Sequence, residues 1–116
     1  LVRTLCPHCR RKVDVARAVQ FGDADPAWRA RLADGPLWEA VGCESCLEGY
    51  SGRKGLFELM VCDETVRAAI RSGRLDAAEL RRTAVAAGMR PLVDDALAKL
   101  RSGLTDLREV VGALAA

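Results

Sequence analysis

The sequence predicts an α+β fold, mostly α, in which a small lobe of two cysteine turns and short strands precedes a C-terminal bundle of about four helices. Three observations lead there. Half of the 116 residues are hydrophobic but only 4% are aromatic, so the core is built from Leu, Val and Ala, a composition that favours helices. Cysteines recur in two pairs of identical spacing, Cys6-Pro7-His8-Cys9 and Cys43-Glu44-Ser45-Cys46. From Asp63 onward, apolar residues return with a helical period of roughly 3.6 and are punctuated by glycines. The length suits a modest core, with a lobe at 1–55 and a strand plus helices at 56–116.

The elements follow in order. Leu1 to Leu5 reads as a short strand leading into the first cysteine turn. Arg10-Arg11-Lys12 comes next, then a short helix over Val13 to Gln20 with Val15, Ala18 and Val19 on one side. Asp25-Pro26 starts a second helix, Asp as cap and Pro in the first turn, with Trp28 and Leu32 on one face. Asp34-Gly35-Pro36 ends it. Leu37 to Val41 is a second strand running into the second cysteine turn. Gly49, Gly52 and Gly55 mark a tight loop around Tyr50, Arg53 and Lys54, and the apolar run Leu56 to Cys62 reads as a third strand. Asp63 caps a helix ending near Ser72 and Gly73. A further helix covers Ala77 to Ala87 and stops at Gly88. Another starts near Pro91 and turns Val93, Leu97 and Leu100 inward. The last follows Thr105 as cap, with Leu107, Val110, Val111 and Leu114 as its apolar stripe.

Each cysteine pair puts two thiolates on one turn, and two such turns together make a four-sulfur site that suits structural zinc (Zn2+) on Cys6, Cys9, Cys43 and Cys46. A lone C-x-x-C would leave dithiol redox chemistry open; two pairs favour metal. Four protein ligands leave no open position, so such a site stabilises rather than catalyses. Arg10, Arg11 and Lys12 are placed to keep the thiolates ionised. His8 is read as a solvent-facing turn residue, and Cys62 as a small buried hydrophobe. The segment Gly52-Arg53-Lys54-Gly55 lacks the G-x-x-x-x-G-K-[ST] order of a phosphate loop. With 18 basic and 16 acidic residues the net charge is +2, which argues against a dedicated nucleic-acid binder. No apolar run approaches the roughly 20 residues that span a bilayer, and no secretion signal is expected. The chain opens without Met on a strand-like sequence, as a piece of a longer protein would.

Taken in order, these landmarks resemble the C-terminal part of the secretion and pilus-assembly ATPases of the GspE/PilB type. The resemblance runs from Leu1-Val2-Arg3-Thr4-Leu5-Cys6-Pro7-His8-Cys9 through Gly42-Cys43-Glu44-Ser45-Cys46 to Gly49-Tyr50-Ser51-Gly52-Arg53-Lys54-Gly55-Leu56-Phe57-Glu58-Leu59. It continues through Ala87-Gly88-Met89-Arg90-Pro91-Leu92 and closes on Gly103-Leu104-Thr105-Asp106-Leu107-Arg108-Glu109-Val110.

The resemblance implies a zinc-carrying and helical subdomain of a hexameric P-loop motor, cytoplasmic and peripheral at the bacterial inner membrane. Type II secretion and type IV pilus assembly are both open as its system. ATP and Mg2+ would belong to the full-length parent. This chain carries no phosphate-loop motif and is expected to be non-catalytic alone. The implied partners are an inner-membrane platform protein and neighbouring ATPase subunits, not nucleic acid. Arg53 and Glu58, in the glycine signature, are candidates to pack against the nucleotide domain. Trp28 and Trp38, with Phe21, either meet a partner or pack within residues 10–42. Two other classes compete. A free-standing zinc-ribbon nucleic-acid binder would need a basic, aromatic-rich face. A thiol oxidoreductase would need a dithiol of lowered pKa.

Overall fold

A computed structural model of the chain describes residues 1–19, 30–32, 35–73 and 76–115. The Asp25-Pro26 helix start, Phe21, Trp28 and Asp34 fall outside these residues. Along the chain the elements are β1 (Val2–Leu5), β2 (Arg11–Val13), α1 (Val15–Val19), β3 (Leu37–Glu39), β4 (Tyr50–Lys54), α2 (Glu64–Arg71), α3 (Ala77–Ala86), α4 (Leu92–Arg101) and α5 (Leu107–Leu114). Residues 30–32 are also helical. The fold is therefore α+β with short antiparallel strands, but six helical segments rather than four occur among the described residues. The chain divides into two compact units, residues 1–56 with 96–116 and residues 57–95.

In the first unit, β1 pairs antiparallel with β4, and β2 with β3. The β1–β4 register runs Val2 to Lys54, Arg3 to Arg53 and Leu5 to Tyr50, with an irregularity opposite Thr4. There Gly52 takes φ of 87°, and a side chain on it would lie 3.2 Å from the Thr4 hydroxyl. The expected glycine loop is thus a strand, bulged at a glycine. The expected strand over Leu56 to Cys62 is instead irregular. Strand formation needs a partner: β1 takes Tyr50–Lys54, and no described strand pairs with 56–62.

The core of this unit joins Val2, Ala18, Leu32, Leu37, Ala96, Leu97, Leu100, Leu107 and Val110. It draws on both ends of the chain because 104–109 are bound onto β1. The Leu5 N–H donates to the Leu104 carbonyl at 2.8 Å, and the Thr105 hydroxyl donates to the Arg3 carbonyl at 2.8 Å. Thr105 is therefore not the cap expected of it. Asp106 caps α5, its carboxylate accepting the Glu109 N–H at 3.0 Å. Its other oxygen accepts the buried Tyr50 hydroxyl at 2.6 Å. Burial, then the Asp106 carboxylate, push the Tyr50 phenol well above its ordinary pKa, so Tyr50 stays a neutral donor.

Glu109 binds Arg3 three ways: the Arg3 backbone N–H at 2.8 Å, Nε at 2.9 Å and Nη2 at 2.7 Å. The same guanidinium lies 3.9 Å from the Tyr50 ring centre. Burial pushes the Glu109 carboxyl up, but the Arg3 contacts outweigh it and hold it below the usual range. Its contribution is therefore complete above the unfolded value of about 4.3 and fades as pH falls through the folded value. Glu109→Gln should cost about 1–2 kcal/mol at pH 7, a figure discounted because the Arg3 side chain is 41% exposed. Urea unfolding of both proteins should show that difference shrinking toward pH 3; a gap independent of pH would contradict the ion-pair account.

The second unit is thinly cored. Asp63 caps α2 as expected and Asp76 caps α3, each carboxylate accepting an N–H three residues on. Gly73 and Gly88 follow these helices with φ of 65° and 104°. Only Val66 and Ala84 are buried among the described residues of this unit.

Candidate metal centre

The first cysteine turn leaves the end of β1, and the second lies between β3 and β4, so the strand pairing carries the two turns toward each other. The Cys6 N–H donates to the Gly49 carbonyl at 2.8 Å, the Arg10 N–H to the Cys6 carbonyl at 3.0 Å, and the Cys46 N–H to the Cys43 carbonyl at 3.3 Å. Leu47 and Tyr50 exchange both backbone bonds, at 3.1 and 3.0 Å. Between them Glu48 and Gly49 have φ of 52° and 89°, the two positive values a type I′ hairpin needs.

The four Sγ atoms of Cys6, Cys9, Cys43 and Cys46 all lie within 4.8 Å of one another. Cys6 and Cys43 are 3.8 Å apart, Cys9 and Cys46 3.8 Å, and Cys43 and Cys46 3.6 Å. A tetrahedron of sulfurs bonded to zinc at about 2.3 Å has edges of about 3.8 Å. The donor set and these spacings therefore fit a closed four-thiolate metal site. Cys6 is fully buried, Cys9 and Cys46 are half-buried, and Cys43 is exposed.

Backbone N–H groups also point at the sulfurs: Gly42 at Cys9 and Cys43 at Cys46, each at 3.3 Å. Desolvation pushes the Cys46 thiol up, but the N–H groups of Cys43 and Gly49 and the neighbouring sulfurs hold it down at about 7. Cys43 goes the other way: the Ser45 N–H lowers it, yet desolvation and three adjacent sulfurs carry it up to about 11. Cys9 is raised as well, first by desolvation. Four thiols this close ionise together only when a cation replaces their protons, so metal uptake here releases protons.

The basic run beside the first turn does not perform the expected electrostatic role. Arg10 stacks 4.5 Å above the Trp38 ring and donates to the Gly103 carbonyl, and Lys12 lies 5.3 Å from the same ring. Arg11 and Arg17 both bind Glu39, which burial would raise but these guanidiniums hold low. Backbone N–H groups are what lower the Cys9 and Cys46 thiols against desolvation, and two of them belong to glycines of the quoted motifs, Gly42 and Gly49.

The remaining site residues scatter. Arg53 is exposed on β4. Trp38 is half-buried under Arg10 and Lys12, with its Nε1 unpaired. Trp28 lies outside the described residues. Glu58 takes Arg81 at 3.1 Å and the Leu92 N–H at 2.9 Å. The Leu92 bond and then Arg81 hold its carboxyl below the usual range. His8 is exposed, as expected; Cys62, expected to be buried, is exposed because the strand it was to end does not form. Tyr50 and Asp106 were not foreseen as partners, although each stands in a quoted motif.

A family model described as type II/IV secretion system protein matches residues 1–112. The chain belongs to the type II/IV secretion system protein family. Within it, the chain is 36% identical to the protein transport protein HofB homolog of Escherichia coli (strain K12), over 98% of this chain and 23% of that protein. It is 40% identical to type II secretion system protein E of Aeromonas hydrophila, over 96% of this chain and 21% of that protein. It is 34% identical to the type IV pilus assembly ATPase PilB of Thermus thermophilus, over 96% of this chain and 12% of that protein. The chain thus spans a quarter or less of these relatives' length. The tetracysteine cluster sits in the unit whose first and last elements, β1 and α5, are tied by Arg3, Thr105 and Glu109. Among the described residues no helix is long and apolar enough to cross a membrane.

Proposed function

We propose that this chain is the metal-stapled coupling subdomain of a hexameric secretion or pilus-assembly ATPase, cytoplasmic and peripheral at the inner membrane. Zinc on Cys6, Cys9, Cys43 and Cys46 closes the lobe, and the parent's ATP-driven motion passes through it to an inner-membrane platform protein and neighbouring subunits. The observation that carries this reading is the four-sulfur cluster of Cys6, Cys9, Cys43 and Cys46, whose spacings suit a closed metal site. When bound, zinc supplies a rigid cross-link between residues 6–9 and 43–46 and no open coordination position. The chain's own groups do the rest: Gly42 and Cys43 N–H groups orient Cys9 and Cys46, and the Arg3–Glu109 and Tyr50–Asp106 bonds fix the lobe's base. A lobe held this way transmits force because it cannot unravel locally. The chain does no catalysis by itself; ATP and Mg2+ bind elsewhere in the parent.

Arg53, exposed on β4, is the interface residue in this reading, and Trp38 lends shape to the lobe beneath Arg10 and Lys12. In the full-length ATPase, Arg53→Ala should lower ATP turnover or secretion several-fold while leaving the metal content at one zinc per chain. If turnover, hexamer formation and secretion are all unchanged, Arg53 is not the anchor; if no zinc is bound, the staple itself is wrong.

A further inference from the structure

The two cysteine turns are not held alike. Cys6 is fully buried, its N–H is bound to the Gly49 carbonyl at 2.8 Å, and its carbonyl takes the Arg10 N–H at 3.0 Å. The second turn is closed by a bond of its own, from the Cys46 N–H to the Cys43 carbonyl at 3.3 Å. Cys43 is exposed, and so are Val41, Gly42, Glu44 and Ser45 around it. Beyond its chain neighbours, a side chain on Gly42 would meet only the Gly49 nitrogen, 3.8 Å away, so the approach to this turn is open. Cys46, three residues on, is half-buried. The Cys43 and Cys46 sulfurs stand 3.6 Å apart, against 3.8 Å for the Cys6–Cys43 and Cys9–Cys46 pairs that bridge the turns.

The geometry points to Cys43 and Cys46 as an oxidation site: a peroxide links them in a disulfide and thereby frees the zinc of the staple. The inference rests on the zinc reading above. Buried cysteines are inert toward oxidants, whereas those that react are reached from solvent and have a second sulfur beside them. Of the four ligands only Cys43 is exposed, so it is the sulfur a peroxide meets first. Its thiolate attacks a peroxide oxygen, the O–O bond breaks, hydroxide leaves, and Cys43 becomes a sulfenic acid. The Cys46 thiolate then attacks the Cys43 sulfur; the S–S bond forms, the S–O bond breaks, and a second hydroxide leaves. Two thiolates have lost two electrons, and the peroxide has gained them. Within one turn the sulfurs need only close to about 2 Å by side-chain rotation. A link from Cys43 to Cys6 would instead draw on a buried residue whose backbone is bound on both sides. Cys6 and Cys9 are then left facing the metal, and two sulfurs do not make a closed four-ligand site. Oxidation therefore unlatches residues 43–46 from residues 6–9, and a thiol reductant restores the latch.

Oxidation of the full-length ATPase tests this. Reduced protein is treated with hydrogen peroxide; released zinc is read with a colorimetric chelator, and the linked cysteines by peptide mass mapping without reduction. Zinc should leave at least about tenfold faster than from untreated protein, with one Cys43–Cys46 disulfide for each zinc released. Dithiothreitol with added zinc should reverse both. Zinc retained under peroxide overturns the inference, and so does a first disulfide that joins Cys6 to Cys43 or Cys9 to Cys46. Cys62 is the internal control: it is exposed but outside the cluster, so Cys62→Ser should change neither the release rate nor the linked pair. The deciding measurements use the wild type, so a ligand variant that fails to fold cannot mask them. Zinc content before oxidation separates this inference from the functional reading. A reduced protein that carries zinc and keeps it under peroxide sinks only the oxidation site; a reduced protein without zinc sinks the staple, and the inference with it.

Discussion

Cys6→Ser should abolish metal binding and collapse the melt of the N-terminal lobe. Cys6 is the fully buried member of the four, its Sγ lies 3.8 Å from that of Cys43, and its N–H is bound to the Gly49 carbonyl. Zinc on four cysteines carries on the order of 10 kcal/mol or more of binding free energy at pH 7. That rivals the entire net stability of a domain, roughly 5–15 kcal/mol. A strong chelator added to the wild type should reproduce the effect. Circular dichroism melts with elemental analysis measure both. Cys62→Ser is the control, since Cys62 is exposed and outside the cluster. A Cys6→Ser protein that keeps its zinc and melts within about 2 °C of wild type would falsify the four-ligand site.

Gly49→Ala should have the next largest effect, for a reason of backbone rather than metal. Gly49 has φ of 89°, and a Cβ there would lie 2.6 Å from the Ala40 Cβ and 2.8 Å from the Val41 nitrogen. Backbone cannot retreat as a flexible side chain can, so the left-handed penalty of about 1–2 kcal/mol is joined by an overpacking cost of about 1–3 kcal/mol. The expected loss is about 2–5 kcal/mol, together with weaker metal affinity because Gly49 also accepts the Cys6 N–H. Gly73→Ala provides the comparison: φ is 65° but nothing lies within 4 Å, so only the backbone term of about 1 kcal/mol remains. Chemical denaturation of the two variants checks the ranking, and equal losses would show that the close approach to Ala40 and Val41 is unimportant.

Much of the local structure was legible. The caps and stops of α2 and α3, Asp63, Gly73 and Gly88, depend on interactions within a few residues, so the sequence carries them directly. The two cysteine pairs announced their own chemistry by spacing. Pairing between distant segments was harder. Residues 50–54 looked like a loop and 56–62 like a strand, and the structure reverses them, because hydrogen-bonding partners lie dozens of residues away. The cap of α5 was missed by one residue for the same reason: Thr105 is drawn off to the Arg3 carbonyl, leaving Asp106 to cap.

By itself, then, the sequence determined the four cysteines that cluster, the caps and stops of α2 and α3 at Asp63, Gly73 and Gly88, and the family motifs, all of which follow from residue type and short spacing. Only the tertiary structure decided that Leu104 to Glu109 return to β1, that Arg10 and Lys12 serve Trp38 rather than the sulfurs, and that Leu59 and Val61 are exposed. Those outcomes depend on which surfaces meet across long chain separations. A local pattern records a side chain's preferences, but not the neighbour that satisfies them.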